Sequence, residues 1–269
     1  MTPIAEQIAD ELHVKSSQIN TAISLLDEGA TVPFIARYRK EATQGLDDNH
    51  LRHLAQRLTY LRDLAERKQA ILTIIEQQGK LTPSLMKEIK SADNKTRLED
   101  LYLPYRPKRR TKGSIAIEAG LEPLATKLFN DWQQQPEEAA KDYINIDAGF
   151  VDTKAVLEGV SSILSERFAE DANLLQKLRR HLLKQAHLTA CVVKGKAQQG
   201  SKYRDYFEHS ERLQTVPSHR MLAMLRGRNE GVLRLSLNVD PQQEKPVTSS
   251  AEQLIMEHFT LRFTEQAGA

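Results

Sequence analysis

DNHLRHLAQRLTYLRDLAERKQAILTIIEQQ, residues 48–78, runs for 31 residues without a glycine or a proline. Leu51, Leu54, Leu58, Leu61, Ala65, Leu72 and Ile75 fall mainly three or four apart, the period that lines one face of an α-helix. At about 1.5 Å per residue such a helix is roughly 46 Å long, enough to serve as a spine for shorter neighbours. A leucine stripe at this spacing marks a core face rather than a ligand site. Asp47 and Asp48 stand at its positive N-terminal end, and Gly79 stops it.

Outward from this spine the chain reads as helices with punctuated joints. Pro3 opens a helix with Ile4, Ile8 and Leu12 on one face, and Ser16 or Ser17 caps a second carrying Ile19, Ile23 and Leu26 up to Gly29. Pro33 seeds a turn over 33–40 that exposes Arg37, Arg39 and Lys40. Thr82-Pro83 starts a helix after the spine, and Thr96-x-x-Glu99 has the spacing of a capping box. Thr111 caps a helix ending at Gly120, Pro123 begins another with Leu124, Leu128 and Phe129, and 153–184 is again helical.

Near His187 the period changes. The runs 188–193 and 232–237 are short, apolar and alternating, which predicts strands, with a helix opened by Pro217 between them. The expected fold class is therefore mainly α: a multi-helix N-terminal body with a long spine helix, and a small α/β insert near the C-terminal end. The expected divisions are 1–187, 188–240, and a further helix begun within 241–269 that the chain end cuts off.

Composition sets limits. In 269 residues, 28% are charged and 40% apolar, ordinary for a soluble chain. No apolar run approaches the ~20 residues of a membrane helix, and MTPIAEQIADEL has acids where a signal peptide has its basic region. One cysteine, Cys191, excludes an internal disulfide and a thiolate-rich zinc site. Its setting in LTACVV predicts a buried, inert thiol. These features suit a reducing cytoplasm and no membrane.

The net charge of +2 conceals segregation. LYLPYRPKRRTK, residues 101–112, holds Arg106, Lys108, Arg109, Arg110 and Lys112 beside Tyr102 and Tyr105, with no acid between Asp100 and Glu118. Lys194, Lys196, Lys202 and Arg204 form a second acid-free tract, and Arg212, Arg220, Arg226 and Arg228 a third. Lys and Arg neutralise phosphates, and a tyrosine face stacks on an unpaired base. Pro104 and Pro107 fix φ and remove donors, which predicts an extended, held-open segment. The candidate nucleic-acid-binding residues are Tyr105, Arg106, Lys108, Arg109, Arg110 and Lys112, supported by Arg220, Arg226 and Arg228. Equally ordinary is a solvated loop that buries Tyr102 and Tyr105 against its own helices, or a charge run used as a short localisation signal.

Catalytic arrangements find little support. Neither GxxxxGK[ST] nor GxGxxG occurs, so no phosphate cradle or cofactor is implied. HExxH and GxSxG are also absent. His50-x-x-His53 lies on the spine without a third ligand nearby, and Asp147 and Asp152 around Gly149 read as a polar turn. The expectation is a chain with no catalytic or metal-binding residues, and not an enzyme.

Three strings carry a resemblance. TVPFIARYRKEATQGLDD (31–48), TRLEDLYLPYRPKRRTK (96–112) and PSHRMLAMLRGRNEGVL (217–233) closely resemble, in order, the N-terminal region of the bacterial Tex family of transcription accessory proteins. Gln44-Gly45 departs from the Gly-Gly of many members. The resemblance covers almost the whole chain. It implies a mostly helical cytoplasmic protein that binds RNA or DNA and influences transcription, with RNA polymerase or a transcription complex as a further partner. Relatives continue into a ribonuclease-H-like domain, helix-hairpin-helix elements and a C-terminal RNA-binding domain, an architecture shared with a eukaryotic elongation factor. The present chain is accordingly expected to be an N-terminal fragment.

Two functions follow. In one, basic tracts contact nucleic acid. In the alternative, the chain is a helical scaffold and docking platform for RNA polymerase or for further domains, and its cations face acidic protein surfaces. Convergence of the tracts favours the first, and arginines already paired with acids favour the second.

Overall fold

The computed structural model describes residues 4–107, 109–131, 133–241 and 248–261. The chain is mainly α-helical with one small antiparallel sheet, as the periodicities predict. It divides into two compact units, residues 1–106 and 107–269.

In the first unit α1 (Ile4–Leu12), α2 (Ser16–Asp27) and α3 (Val32–Tyr38) precede the spine α4 (Asp48–Gln77), which is followed by α5 (Pro83–Ser91) and α6 (Lys95–Tyr102). The buried stripe of α4 is Leu51, Leu54, Leu58, Leu61, Leu64, Lys68, Ile71, Leu72 and Ile75. Ala65, expected in the core, is exposed and Leu64 takes its place, because the stripe advances by three rather than four residues after Leu61. Each fully buried leucine or isoleucine contributes roughly 1.5–3 kcal/mol.

Lys68 keeps its place in the stripe by donating from Nζ to the Lys90 carbonyl at 2.9 Å, in the last turn of α5. Burial pushes its pKa below the ordinary lysine value, against the pull of Asp93. Three arginines on α4 clamp three other helices: Arg57 holds Glu11 at 2.7 and 2.8 Å, Arg62 holds Asp27 at 2.7 and 2.8 Å, and Arg67 holds Glu99 at 2.7 and 3.1 Å. Exposed and partly exposed pairs like these add little to stability because water screens them, yet their two-pronged geometry sets orientation.

Two helix starts differ from expectation. Lys15, not a serine, is the N-cap of α2, its N–H donating to Gln18 Oε1 at 3.0 Å. Asn94 caps α6 by accepting from Arg97 N at 2.8 Å, so Thr96 falls inside the helix and Glu99 is left for Arg67.

The second unit contains α7 (Lys112–Glu118), α8 (Glu122–Asn130), α9 (Pro136–Ala140), α10 (Thr153–Ala169) and α11 (Ala172–Gln185). Ala116, Leu121, Leu124, Ala125, Ala140, Val156, Val160 and Ile163 form the core shared by α7 to α10. Asp171 interrupts the helical stretch 153–184 by capping α11.

The sheet has the order β2-β1-β3, from β1 (His187–Val192), β2 (Glu208–Arg212) and β3 (Leu233–Asn238), all antiparallel. β1 and β3 are the strands the alternation predicts. β2, EHSER, has no apolar residue and was not legible that way. Helix α12 (Ser218–Asn229) covers one face, with Met224 packed on Leu188 and Ala190. Gly227 permits the close approach, since a Cβ there would stand 2.6 Å from Leu233 Cδ1.

Cys191 points to the other face and is exposed, contrary to the expected buried thiol. In a strand, alternate residues change sides, so burial of Leu188 and Ala190 turns Cys191 outward. Helix α13 (Ser250–His258) closes at His258, earlier than the run to the chain end expected of it.

Candidate nucleic-acid interface

The basic segment is built in two halves. α6 runs into a 3-10 turn, Leu103–Tyr105, and only from Arg106 is the backbone extended (φ −69, ψ 134). Pro104 therefore sits inside a helical turn instead of holding an extended strand. At the start of such a turn proline has no donor to lose, so its presence does not exclude helix. Tyr102 is buried, with the Arg67 guanidinium 5.4 Å from its ring centre, and serves the core. Tyr105 is partly buried, and its carbonyl accepts from Gln78 Nε2 at 2.9 Å, tying the segment to the end of the spine.

At the far end Thr111 caps α7: its Oγ1 accepts from Ser114 N at 3.0 Å, and Ser114 Oγ accepts from Thr111 N at 2.8 Å. Tyr105 and Arg106 belong to the first unit, and Arg109, Arg110 and Lys112 to the second. Lys108 lies outside the described residues.

The cations differ in what they face. Arg110 Nη2 stands 2.7 Å from Glu118 Oε2. Arg106 is exposed and close enough to help hold the Glu99 carboxyl below the usual range, a shift caused mainly by the hydrogen bond from Arg67. Arg109 and Lys112 are exposed and have no acidic partner among the described residues. The backbone N–H of Gly113 at the start of α7 is already taken, donating to Glu166 Oε1 at 3.1 Å.

On α12 the arginines are scattered. At about 100° per residue, Arg220 and Arg228 lie about 80° apart, and Arg226 about 160° from Arg228. Arg220 Nη1 is 3.1 Å from Glu211 Oε2, and His209 Nε2 is 2.9 Å from Glu211 Oε1. Burial pushes Glu211 up, but the hydrogen bonds from His209 and Arg220 outweigh it and hold the carboxyl below the usual range. Arg226 and Arg228 are exposed.

The second and third tracts do meet, at Glu230. Lys202 Nζ lies 2.8 Å from its Oε2, and Tyr203 Oη donates to Oε1 at 2.8 Å. These two hydrogen bonds, with the charges of Lys202 and Arg226, hold the Glu230 carboxyl low.

Comparison with known families matches this architecture at both ends. A family model described as Tex-like protein N-terminal domain matches residues 2–76, and one described as Tex central region-like matches 131–269. The chain belongs to the Tex family. It is 61% identical over 256 residues to Protein YhgF of Escherichia coli, covering 95% of this chain and 33% of that protein. Identity to the Transcriptional accessory protein Tex of Neisseria gonorrhoeae is 54% over 258 residues, covering 95% of this chain and 34% of that one. For Protein tex of Bordetella pertussis it is 53% over 245 residues, with 90% and 31% covered. The chain thus spans about a third of the length of the curated relatives it matches.

Among the described residues no helix is long and apolar enough to cross a membrane, and no group of three or more His, Cys, Asp or Glu is placed to hold a metal ion. In this Tex chain the turn predicted over 33–40 carries more than its cations. Phe34 and Tyr38, four residues apart, are exposed beside Arg37, Arg39 and Lys40. The signal in the sequence was the two rings at helical spacing among the cations, since apolar residues so spaced ordinarily mark a buried face.

Proposed function

We propose that this chain is a nucleic-acid-contacting part of a cytoplasmic transcription accessory protein, with no catalytic step of its own. The observation that carries this is the pair Arg109 and Lys112, exposed and without acidic partners among the described residues, beside Thr111, whose cap fixes the start of α7. Cations left unpaired on a held backbone suit phosphate, where counterion release supplies the affinity. Membership in a family with a relative named Transcriptional accessory protein Tex supports the transcriptional role. A docking platform for RNA polymerase or a transcription complex is the second reading, favoured by the home pairing of Arg110, Arg220 and Lys202 with Glu118, Glu211 and Glu230.

A salt series separates the two. Binding of the chain to labelled single- and double-stranded oligonucleotides is compared with that of Arg109→Ala/Lys112→Ala. Loss of two phosphate contacts flattens the slope of log affinity against log salt by about 1.4 for single strands and about 1.8 for duplex. An unchanged slope and affinity would leave the docking platform in front.

A further inference from the structure

After α3 the chain reverses sharply and is held from several sides. Thr43 is fully buried; its N–H donates to the Arg39 carbonyl at 3.0 Å, and its Oγ1 lies 3.2 Å from the carbonyls of Arg39 and Lys40. Gln44 N donates to Glu41 O at 3.0 Å and Gly45 N to Lys40 O at 2.9 Å. From α2, Gln18 Nε2 donates to Gln44 O at 3.0 Å. Leu46 is buried as the anchor before α4, and Gly45 takes φ +94 to complete the reversal. The result is an open concavity of about 690 Å³ lined by residues 37–42, 44 and 45.

Tyr38 lines it, and Phe34 lies beside Tyr38. Phe34 is 41% exposed and Tyr38 66%, with ring centres 5.3 Å apart, and the Arg39 guanidinium lies 5.5 Å from the Phe34 centre. Cations at a helix C-terminus often serve only its unsatisfied carbonyls. Arg39 is used in this way, its Nη1 donating to the Tyr38 carbonyl at 3.5 Å, while the carbonyls of 39–41 are taken by Thr43, Gln44 and Gly45. Neither Arg37 nor Lys40 has a partner among the described residues, and Glu41 is the one acid in the lining.

We propose that the concave surface of Phe34, Arg37, Tyr38, Arg39 and Lys40 binds single-stranded nucleic acid, with a base stacked on Tyr38 and phosphates against Arg37 and Lys40. An exposed ring beside unpaired cations is the pairing that reads a strand without reading its sequence. A duplex keeps its base faces stacked inside and offers Tyr38 nothing. A protein partner fits less well, because Lys40 lines the concavity and lysine is depleted at the centres of protein interfaces. The surface lies wholly in the first unit and does not depend on Arg109 or Lys112.

The test uses the whole chain with fluorescein-labelled oligo-uridine, oligo-deoxythymidine and a duplex of equal length, read by anisotropy across a salt series. Tyr38→Ala is expected to weaken single-strand binding roughly 5- to 100-fold, leave duplex binding and the salt slope unchanged, and be rescued by Tyr38→Phe. Arg37→Ala/Lys40→Ala is expected to flatten the single-strand slope by about 1.4. The two oligonucleotides separate RNA from DNA preference. Photo-crosslinking of iodouridine oligomers to the unaltered chain is expected to label residues 33–47, a result independent of how any variant folds.

The proposal is overturned by single-strand affinity within twofold in Tyr38→Ala, by equal loss on duplex, by failure of the phenylalanine rescue, or by crosslinks confined to other residues. Loss of an isolated protein contact in Tyr38→Ala with oligonucleotide binding intact would likewise replace it with protein docking. Weakened binding in Arg109→Ala/Lys112→Ala with none in Tyr38→Ala would sink this site and keep the basic segment; the reverse would do the opposite.

Discussion

Helix α12 and the reversal at the end of α3, residues 37–45, both place three cations within nine residues or fewer, and the fold treats them in opposite ways. On α12, steps of about 100° send Arg226 away from Arg220 and Arg228, and Glu211 neutralises Arg220. At the end of α3, a reversal held by Thr43, Gln18 and Gly45 gathers Arg37, Arg39 and Lys40 around one concavity and leaves two of them without partners among the described residues. Density of charge along the chain is therefore a poor guide to density of charge in space. A turn concentrates what a helix disperses.

The sharpest way to break this contrast is to remove the loop's anchor. Leu46→Ala empties a site that is 1% exposed and is expected to cost roughly 2–5 kcal/mol. Leu222→Ala on α12 removes a side chain 64% exposed and is expected to stay within about 0.5 kcal/mol. Urea unfolding of both variants checks the pair. A loss below 1 kcal/mol at Leu46 would mean that the loop is not held as described.

Two glycine substitutions refine the same comparison. Gly227→Ala drives a Cβ to 2.6 Å from Leu233 Cδ1, and overpacking of this kind costs typically 1–3 kcal/mol. Gly45→Ala meets nothing within 4 Å, yet φ is +94 there, so the cost is backbone strain of about 1–2 kcal/mol. Calorimetric melting should show destabilisation in both. Repacking Leu233 to valine should relieve only the first, and relief of Gly45→Ala by that change would contradict the assignment.

The sequence made the helices legible because long runs without Gly or Pro leave few alternatives, and α4 is bounded within a residue by Asp47 and Gly79. The first and third strands showed through alternation. β2 did not, because EHSER keeps only His209 and Glu211 on its more buried side, and those two hydrogen-bond each other instead of forming an apolar row. The apolar string around Cys191 hides the outward facing of its thiol, which strand parity decides.

For the basic segment, periodicity could not reveal that Arg110 has Glu118 within reach eight residues on, or that Glu166 arrives from 53 residues away at Gly113. Ion pairs of this kind are made by tertiary approach, and charge counting sees only neighbours. The rings of Phe34 and Tyr38 are hidden in the sequence for the opposite reason: their spacing looks like an ordinary core stripe, and only the fold shows that both are exposed.

The smallest expected effect separates committed cations from free ones through pH. The hydrogen bond from Arg67 holds Glu99 below its ordinary value of 4.5, with burial opposing and the charges of Arg67 and Arg106 assisting. A carboxyl whose folded pKa is depressed adds stability that is fully present above the unfolded pKa and is lost as pH falls through the folded one. Both partners are more than a third exposed, at 41% and 45%, so solvent screening limits this contribution to less than about 1 kcal/mol. Glu99→Gln should therefore lower the melting temperature slightly at pH 7, and the difference should fade as pH falls below 4.5 and through the depressed folded pKa. Arg37→Ala, which removes a cation with no acidic partner among the described residues, should leave the pH profile of stability parallel to that of the unaltered chain while changing the salt dependence of binding. Parallel profiles for Glu99→Gln, or an acid-dependent gap for Arg37→Ala, would erase the distinction between cations spent on the fold and cations held for a partner.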